Sequence, residues 1–197
     1  MPEFEALTLT TLIPDTSYSR PYFSTPNLVT LKSSALEVMT DLRYVAAETV
    51  GADNCLENAT QKMIVRGVRS LLVVDAADNV IGVITARDLI SERAFEVSAA
   101  RQLDFGELKV SEVMTPGQNI EVMQLADVLH ARVGDIVQTL KHSGRHHALA
   151  VETEPLGERN VIRGVFSASQ IARQLGVSPR SEDLRQTFAQ IEQSIRP

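Results

Sequence analysis

The chain has 197 residues, a hydrophobic fraction of 44% and a charged fraction of 22%. These values are ordinary for a globular protein and exclude a wholly disordered chain, a collagen-like repeat or a disulfide scaffold. Nineteen Lys and Arg against 25 Asp and Glu leave a net charge of -6. That surface repels a phosphate backbone, so no nucleic-acid partner is expected, although one nucleotide needs only a local cluster of donors. The single cysteine, Cys55, allows no intramolecular disulfide. Glu3 and Glu5 stand where a secretory leader would be basic, and no apolar run nears the ~18 residues that cross a bilayer. The expectation is a cytoplasmic protein without a membrane partner.

In chain order, residues 1–33 carry Pro2, Pro14, Pro21 and Pro26 among Phe4, Leu7, Leu9, Ile13, Tyr22 and Phe23. Proline disfavours a long helix there, and the apolar side chains suggest an extended arm packed on the body or on a partner subunit. Next comes Glu37-Val38-Met39-Thr40, which recurs letter for letter as Glu112-Val113-Met114-Thr115. Asn54 and Glu57 read as a capping box for a helix whose buried face is Leu56, Ala59 and Met63, and which ends at Gly67. Ser70–Val74 and Val80–Thr85 read as two strands joined by the turn Asp75-Ala76-Ala77-Asp78-Asn79, and a helix is expected from about Ala86 to Gln102.

The second copy repeats this order. Val133, Ile136 and Leu140 match Leu56, Ala59 and Met63; Gly144 matches Gly67; His147–Val151 and Val161–Ser167 are the strands; and a short helix ends near Gly176. Gly82-Val83-Ile84-Thr85-Ala86-Arg87-Asp88 is echoed by Gly164-Val165-Phe166-Ser167-Ala168-Ser169-Gln170. Most of the extra length of the second copy falls at Glu154-Pro155-Leu156-Gly157-Glu158-Arg159, an enlarged turn. Two βαββα units result, an α/β architecture. Beyond them Ser181 can cap a helix whose Leu184, Phe188, Ile191 and Ile195 form one apolar stripe, suited to docking on its own domain or on a partner.

The step from strand to helix at Thr85 is where unpaired backbone N–H groups attract a phosphate. Asp88, three residues on, offers a carboxylate to a ribose diol; the pair serves equally as an N-cap and a first-turn acid. No nucleophile elbow, phosphate-binding GxxxxGK[ST] loop or HExxH helix occurs, and no catalytic residues are assigned. The run Lys141-His142-Ser143-Gly144-Arg145-His146-His147 is not read as a metal site. His142 sits at a helix end, and His146 and His147 are expected on opposite faces of a strand.

The doubled Glu-Val-Met-Thr, the Gly-Val-Ile-Thr-x-x-Asp step and the βαββα order resemble tandem cystathionine-β-synthase (CBS) domains, the Bateman module, over about residues 34–176. The resemblance implies a pseudo-twofold pair: an arm at 1–33, domains at 34–103 and 104–177, and a terminal helix at 178–197. It also implies two clefts that bind an adenosine-containing ligand: AMP, ADP, ATP or S-adenosylmethionine. In the main cleft Thr85 would meet phosphate, Asp88 ribose, and Val83, Asn119 and Ile120 the sugar and base. Arg145 and His146 would face phosphate. In the second, Thr40, Val45, Val68, Arg69 and Ser167 remain, but Gln170 replaces the carboxylate, so weaker, altered or no binding is expected. Such a module would act as a homodimer or through a regulated partner. The alternative is a structural interaction module without ligand.

Overall fold

The structure is a computed structural model that describes residues 29–153 and 159–177. Residues 1–28 of the expected arm, 154–158 of the enlarged turn and the whole helix expected over 178–197 lie outside the described residues. After a 3-10 turn at Ala35–Val38 come β1 (Thr40–Asp41), β2 (Thr49–Gly51), α1 (Leu56–Arg66), β3 (Ser70–Val74) and β4 (Val80–Thr85). A second 3-10 turn (Asp88–Ile90) leads to α2 (Glu92–Arg101). The second copy supplies α3 (Val110–Val113), β5 (Thr115–Pro116), β6 (Val122–Gln124) and α4 (Leu125–Val128). It continues with α5 (Val133–Ser143), β7 (His147–Thr153), β8 (Asn160–Ser167) and α6 (Ala168–Gln174).

These strands form two four-stranded sheets of the same plan, β2-β3-β4-β5 and β6-β7-β8-β1. In each, the first pair is parallel and the next two are antiparallel. The α/β fold of two βαββα repeats related by a pseudo-twofold axis is thus as the repeated sequence requires. Gly67 and Gly144 end α1 and α5 at φ 63° and 65°, a left-handed conformation that glycine adopts without a Cβ penalty.

The two landmarks of the repeat turn out to be partners across copies. Thr115 of the second copy pairs with Val83 of the first, and Thr40 of the first pairs with Val165 of the second, at equivalent register. Met114 packs over Gly82 and Met39 over Gly164; a Cβ on Gly82 would stand 2.8 Å from the Thr115 carbonyl oxygen. Each core is therefore built from two stretches of chain. Leu108, Val110, Val113 and Met114 join Leu56, Leu71, Val73 and Ile84, while Ala35 and Val38 join Ile136, Leu140, Phe166 and Ile171. The chain-order division at 103/104 does not coincide with these packing units.

This exchange also explains why α1 starts without the expected capping box. Cys55 is the N-cap and makes no side-chain bond. Instead the Leu56 amide donates to the Leu108 carbonyl at 2.8 Å, and the Asn54 carbonyl accepts from the Val110 amide at 2.8 Å. The crossing segment satisfies the helix start, so Asn54 is not needed as a side-chain cap. The helix expected over 86–102 is likewise divided. Ser91 Oγ donates to the Asp88 carbonyl at 2.7 Å, closing the 3-10 turn, and accepts from the Ala94 amide as N-cap of α2.

At the β1 edge, Arg163 is nearly buried and joins Asp41 and Glu152, while Arg43 forks onto both Glu152 oxygens at 3.0 and 2.8 Å. Partial burial raises the Asp41 pKa, but the Arg43 amide and the Arg163 guanidinium outweigh it and hold the carboxyl below its usual value of 3.8. This cluster fastens the exchanged strand to the second sheet. No described helix is long and apolar enough to cross a membrane.

Candidate functional site

Two clefts open between the halves, at the edges where β3 and β4 face β7 and β8. The smaller, about 160 Å³, is lined by Val83, Thr85, Asp88, Ile120, Arg145 and His146, six of the seven residues expected there from sequence. The seventh, Asn119, does not line it. Its carbonyl accepts a bond from Arg145 Nη2 at 3.0 Å, so it helps orient the guanidinium at the cleft wall.

Within this cleft Thr85 closes β4 and Asp88 opens the following 3-10 turn. The Thr85 amide and hydroxyl both donate to Asp88 Oδ2, at 2.7 and 2.8 Å. Both bonds fall on one oxygen, which leaves Oδ1 to accept from a ligand hydroxyl. The capping role and the candidate binding role are thus served by the same carboxylate. Arg87 and Glu121 line the same space, and Arg87 Nη1 lies 3.1 Å from His146 Nε2 on the opposite half. Sequence reading passed over both. Arg87 follows the motif threonine by two residues and, from the start of the 3-10 turn, reaches the other half.

The larger cavity measures about 450 Å³ and is lined by all six residues expected for the second cleft: Thr40, Val45, Val68, Arg69, Ser167 and Gln170. Arg66 and Arg173 also line it, with Glu48 held near Arg66 at 3.4 Å. Gln170 Oε1 accepts from the Thr40 hydroxyl at 3.4 Å, and Ser167 Oγ lies 3.1 Å from Ser169 Oγ. Where the first copy has a charged clamp, the second has a weak amide contact to the exchanged strand. The arginines that enrich this cavity come from the end of α1 and from α6, helical positions that sequence spacing does not relate to one another.

His147 is common to both clefts. Its Nδ1 is shut off from solvent and has no hydrogen-bond partner among the described residues. Burial, helped by the Arg69 cation and by His146 whenever that ring is protonated, pulls its pKa from 6.5 down to about 4, so the ring is neutral at pH 7. His146 and His147 both line the smaller cleft, and of the two only His147 lines the larger one. β7 begins only at His147, so strand alternation does not reach back to His146. Among the described residues no group of three or more His, Cys, Asp or Glu could hold a metal ion.

The exchanged sheets and paired clefts define a tandem-repeat fold, and comparison gives that fold its name. Residues 37–94 match the family model of the CBS domain. A search of proteins of curated function found no match. Among solved structures, an uncharacterized conserved protein from Pyrococcus horikoshii is 21% identical, with a TM-score of 0.53 over 74% of this chain and 93% of its own. The CBS-domain containing protein ATU1752 from Agrobacterium tumefaciens is 20% identical, with a TM-score of 0.50 over 68% and 88%. CBSX2 in complex with AMP is 17% identical, with a TM-score of 0.51 over 72% and 94%. The fold is that of a CBS pair.

Proposed function

We propose that this protein is a regulatory sensor, not an enzyme, which binds an adenosine-containing nucleotide between its two halves. The observation that carries the reading is the Thr85–Asp88 clamp. It presents a carboxylate oxygen at the end of β4 to a cleft whose far wall holds Arg145 and His146. The carboxylate suits a ribose diol and the cations suit a phosphate. The AMP complex of CBSX2, a protein of the same fold, supports AMP, ADP, ATP or S-adenosylmethionine as the ligand class. A ligand that bridges both halves stabilises one relative arrangement of them, and that population shift is the signal. Its readout passes to the protein's own homodimer or to a regulated partner in the cytoplasm.

One observation favours a second reading, a protein-interaction module without ligand: the smaller cleft is only about 160 Å³, and Gln170 removes the carboxylate from the larger one. A thermal-shift panel of AMP, ADP, ATP, S-adenosylmethionine and NAD, with and without Mg²⁺, separates the two. Ligand at 100 times its dissociation constant stabilises by about 2.7 kcal/mol, a shift of several degrees. A selective shift that disappears in Asp88→Ala is expected. No shift with any of them, from well-folded protein, leaves the interaction module.

A further inference from the structure

The smaller cleft is spanned by a contact that neither half can make alone, Arg87 Nη1 to His146 Nε2 at 3.1 Å. A guanidinium has donors only and stays charged, so this bond has one sense. Arg87 donates, the imidazole Nε2 accepts, and the ring proton sits on Nδ1. His146 is therefore neutral while the contact exists. The cavity behind it, about 160 Å³, falls below the roughly 300–1,000 Å³ typical of small-molecule pockets. A nucleotide needs a wider mouth, and this contact crosses the cleft.

We propose that Arg87 and His146 form a proton-linked latch over the smaller cleft, which an anionic group of the ligand opens by taking Arg87 as its donor while His146 takes up a proton. The proton comes from solvent and binds at Nε2, the nitrogen that Arg87 releases. His146 then changes from an acceptor for a cation into a donor to the same anion. The inference rests on reading this cleft as the nucleotide site.

The groups around His146 fit this exchange. Arg87 and Asp88 face it from the first half, Glu121 from the segment before β6, and Arg145 and His147 flank it in sequence, all lining the same cleft. Arg69 adds positive charge close to His147. In the closed state these cations disfavour a second charge on His146; a bound phosphate reverses that balance. His147 is held neutral by burial, so it does not compete for the proton near neutral pH.

Two measurements on the full chain test the latch. In the ligand-free protein, the His146 ring is titrated by NMR in wild type and in Arg87→Gln. The latch requires the midpoint to move to higher pH when Arg87 is removed, and an unchanged midpoint overturns it. In the second, AMP is titrated calorimetrically in two buffers of different ionisation enthalpy. Wild type is expected to take up more protons per AMP bound than His146→Gln, whose amide still accepts from Arg87 and donates to phosphate but does not titrate. The phosphate's own second ionisation, near pH 6, is common to both proteins and drops out of the comparison. Equal uptake in the two proteins overturns the proposal. If AMP binds neither protein but the NMR midpoint moves, the latch stands and the nucleotide reading of the cleft fails.

Discussion

The two clefts occupy equivalent places in one duplicated fold, yet they are built for different states. At Thr85 the hydroxyl and the amide converge on one carboxylate, and an arginine two residues on reaches across to His146, leaving a narrow space. At Ser167 the carboxylate is replaced by Gln170, which accepts a 3.4 Å bond from Thr40 of β1, and the space is nearly three times as large. The exchange of Asp for Gln thus removes the charged clamp from the larger cleft, whose charged groups are instead Arg66, Arg69, Arg173 and Glu48. Duplication supplied two sites, and side chains on the same backbone made them unequal.

The comparison can be broken first at the cores under the two clefts. Phe166 and Ile84 occupy equivalent positions, each fully buried. Phe166→Ala is expected to cost about 3–5 kcal/mol and Ile84→Ala about 2–5 kcal/mol in urea unfolding, with the larger side chain giving the larger loss. Equal losses would mean that the second half collapses around its cavity more easily than its packing suggests.

His147, shared by both clefts, sets the next effect. Its folded pKa of about 4 lies below the unfolded 6.5, so the unfolded chain binds the extra proton between these values. Stability is therefore full above about pH 6.5 and falls as pH drops towards 4, by roughly 3 kcal/mol in all. Urea unfolding at pH 7 and pH 5 should show about 2 kcal/mol of that fall in wild type and much less in His147→Gln. Asp41, Asp53 and Asp75, whose pKa values are all lowered, keep their contribution above 3.8 and lose it only at lower pH, outside this window.

A smaller effect distinguishes the two crossing points. Gly82→Ala sets a Cβ 2.8 Å from a backbone oxygen of Thr115, whereas at Gly164 the obstacle is the flexible Met39 side chain. Gly82→Ala should lose about 1–3 kcal/mol and Gly164→Ala less, because Met39 can repack. The smallest expected change, about tenfold in affinity, is a gain: Gln170→Asp gives the larger cleft a charged acceptor and should strengthen AMP binding there.

Much of this was legible in the sequence because the chain states it twice. Strand limits at Val80–Thr85, helix ends at Gly67 and Gly144, and six of the residues that line the larger cleft follow from local pattern and from the resemblance that the repeated motifs carry. The exchange of β1 and β5 between sheets was not legible, since two-residue strands have no periodicity and their partners lie over 30 residues away in sequence. Arg87 and Glu121 were missed for a related reason. Nothing in local spacing tells a solvated charge from one that meets the opposite half.

The most direct test of a nucleotide held between the halves is calorimetric titration of AMP into wild type and Asp88→Ala. Removing a charged hydrogen-bond partner is worth about 1.5–3 kcal/mol, so affinity should fall at least tenfold in the variant, which also loses about 0.5–2 kcal/mol of stability with the Thr85 cap but stays folded. Unchanged affinity in a folded Asp88→Ala protein would contradict the assignment of the smaller cleft.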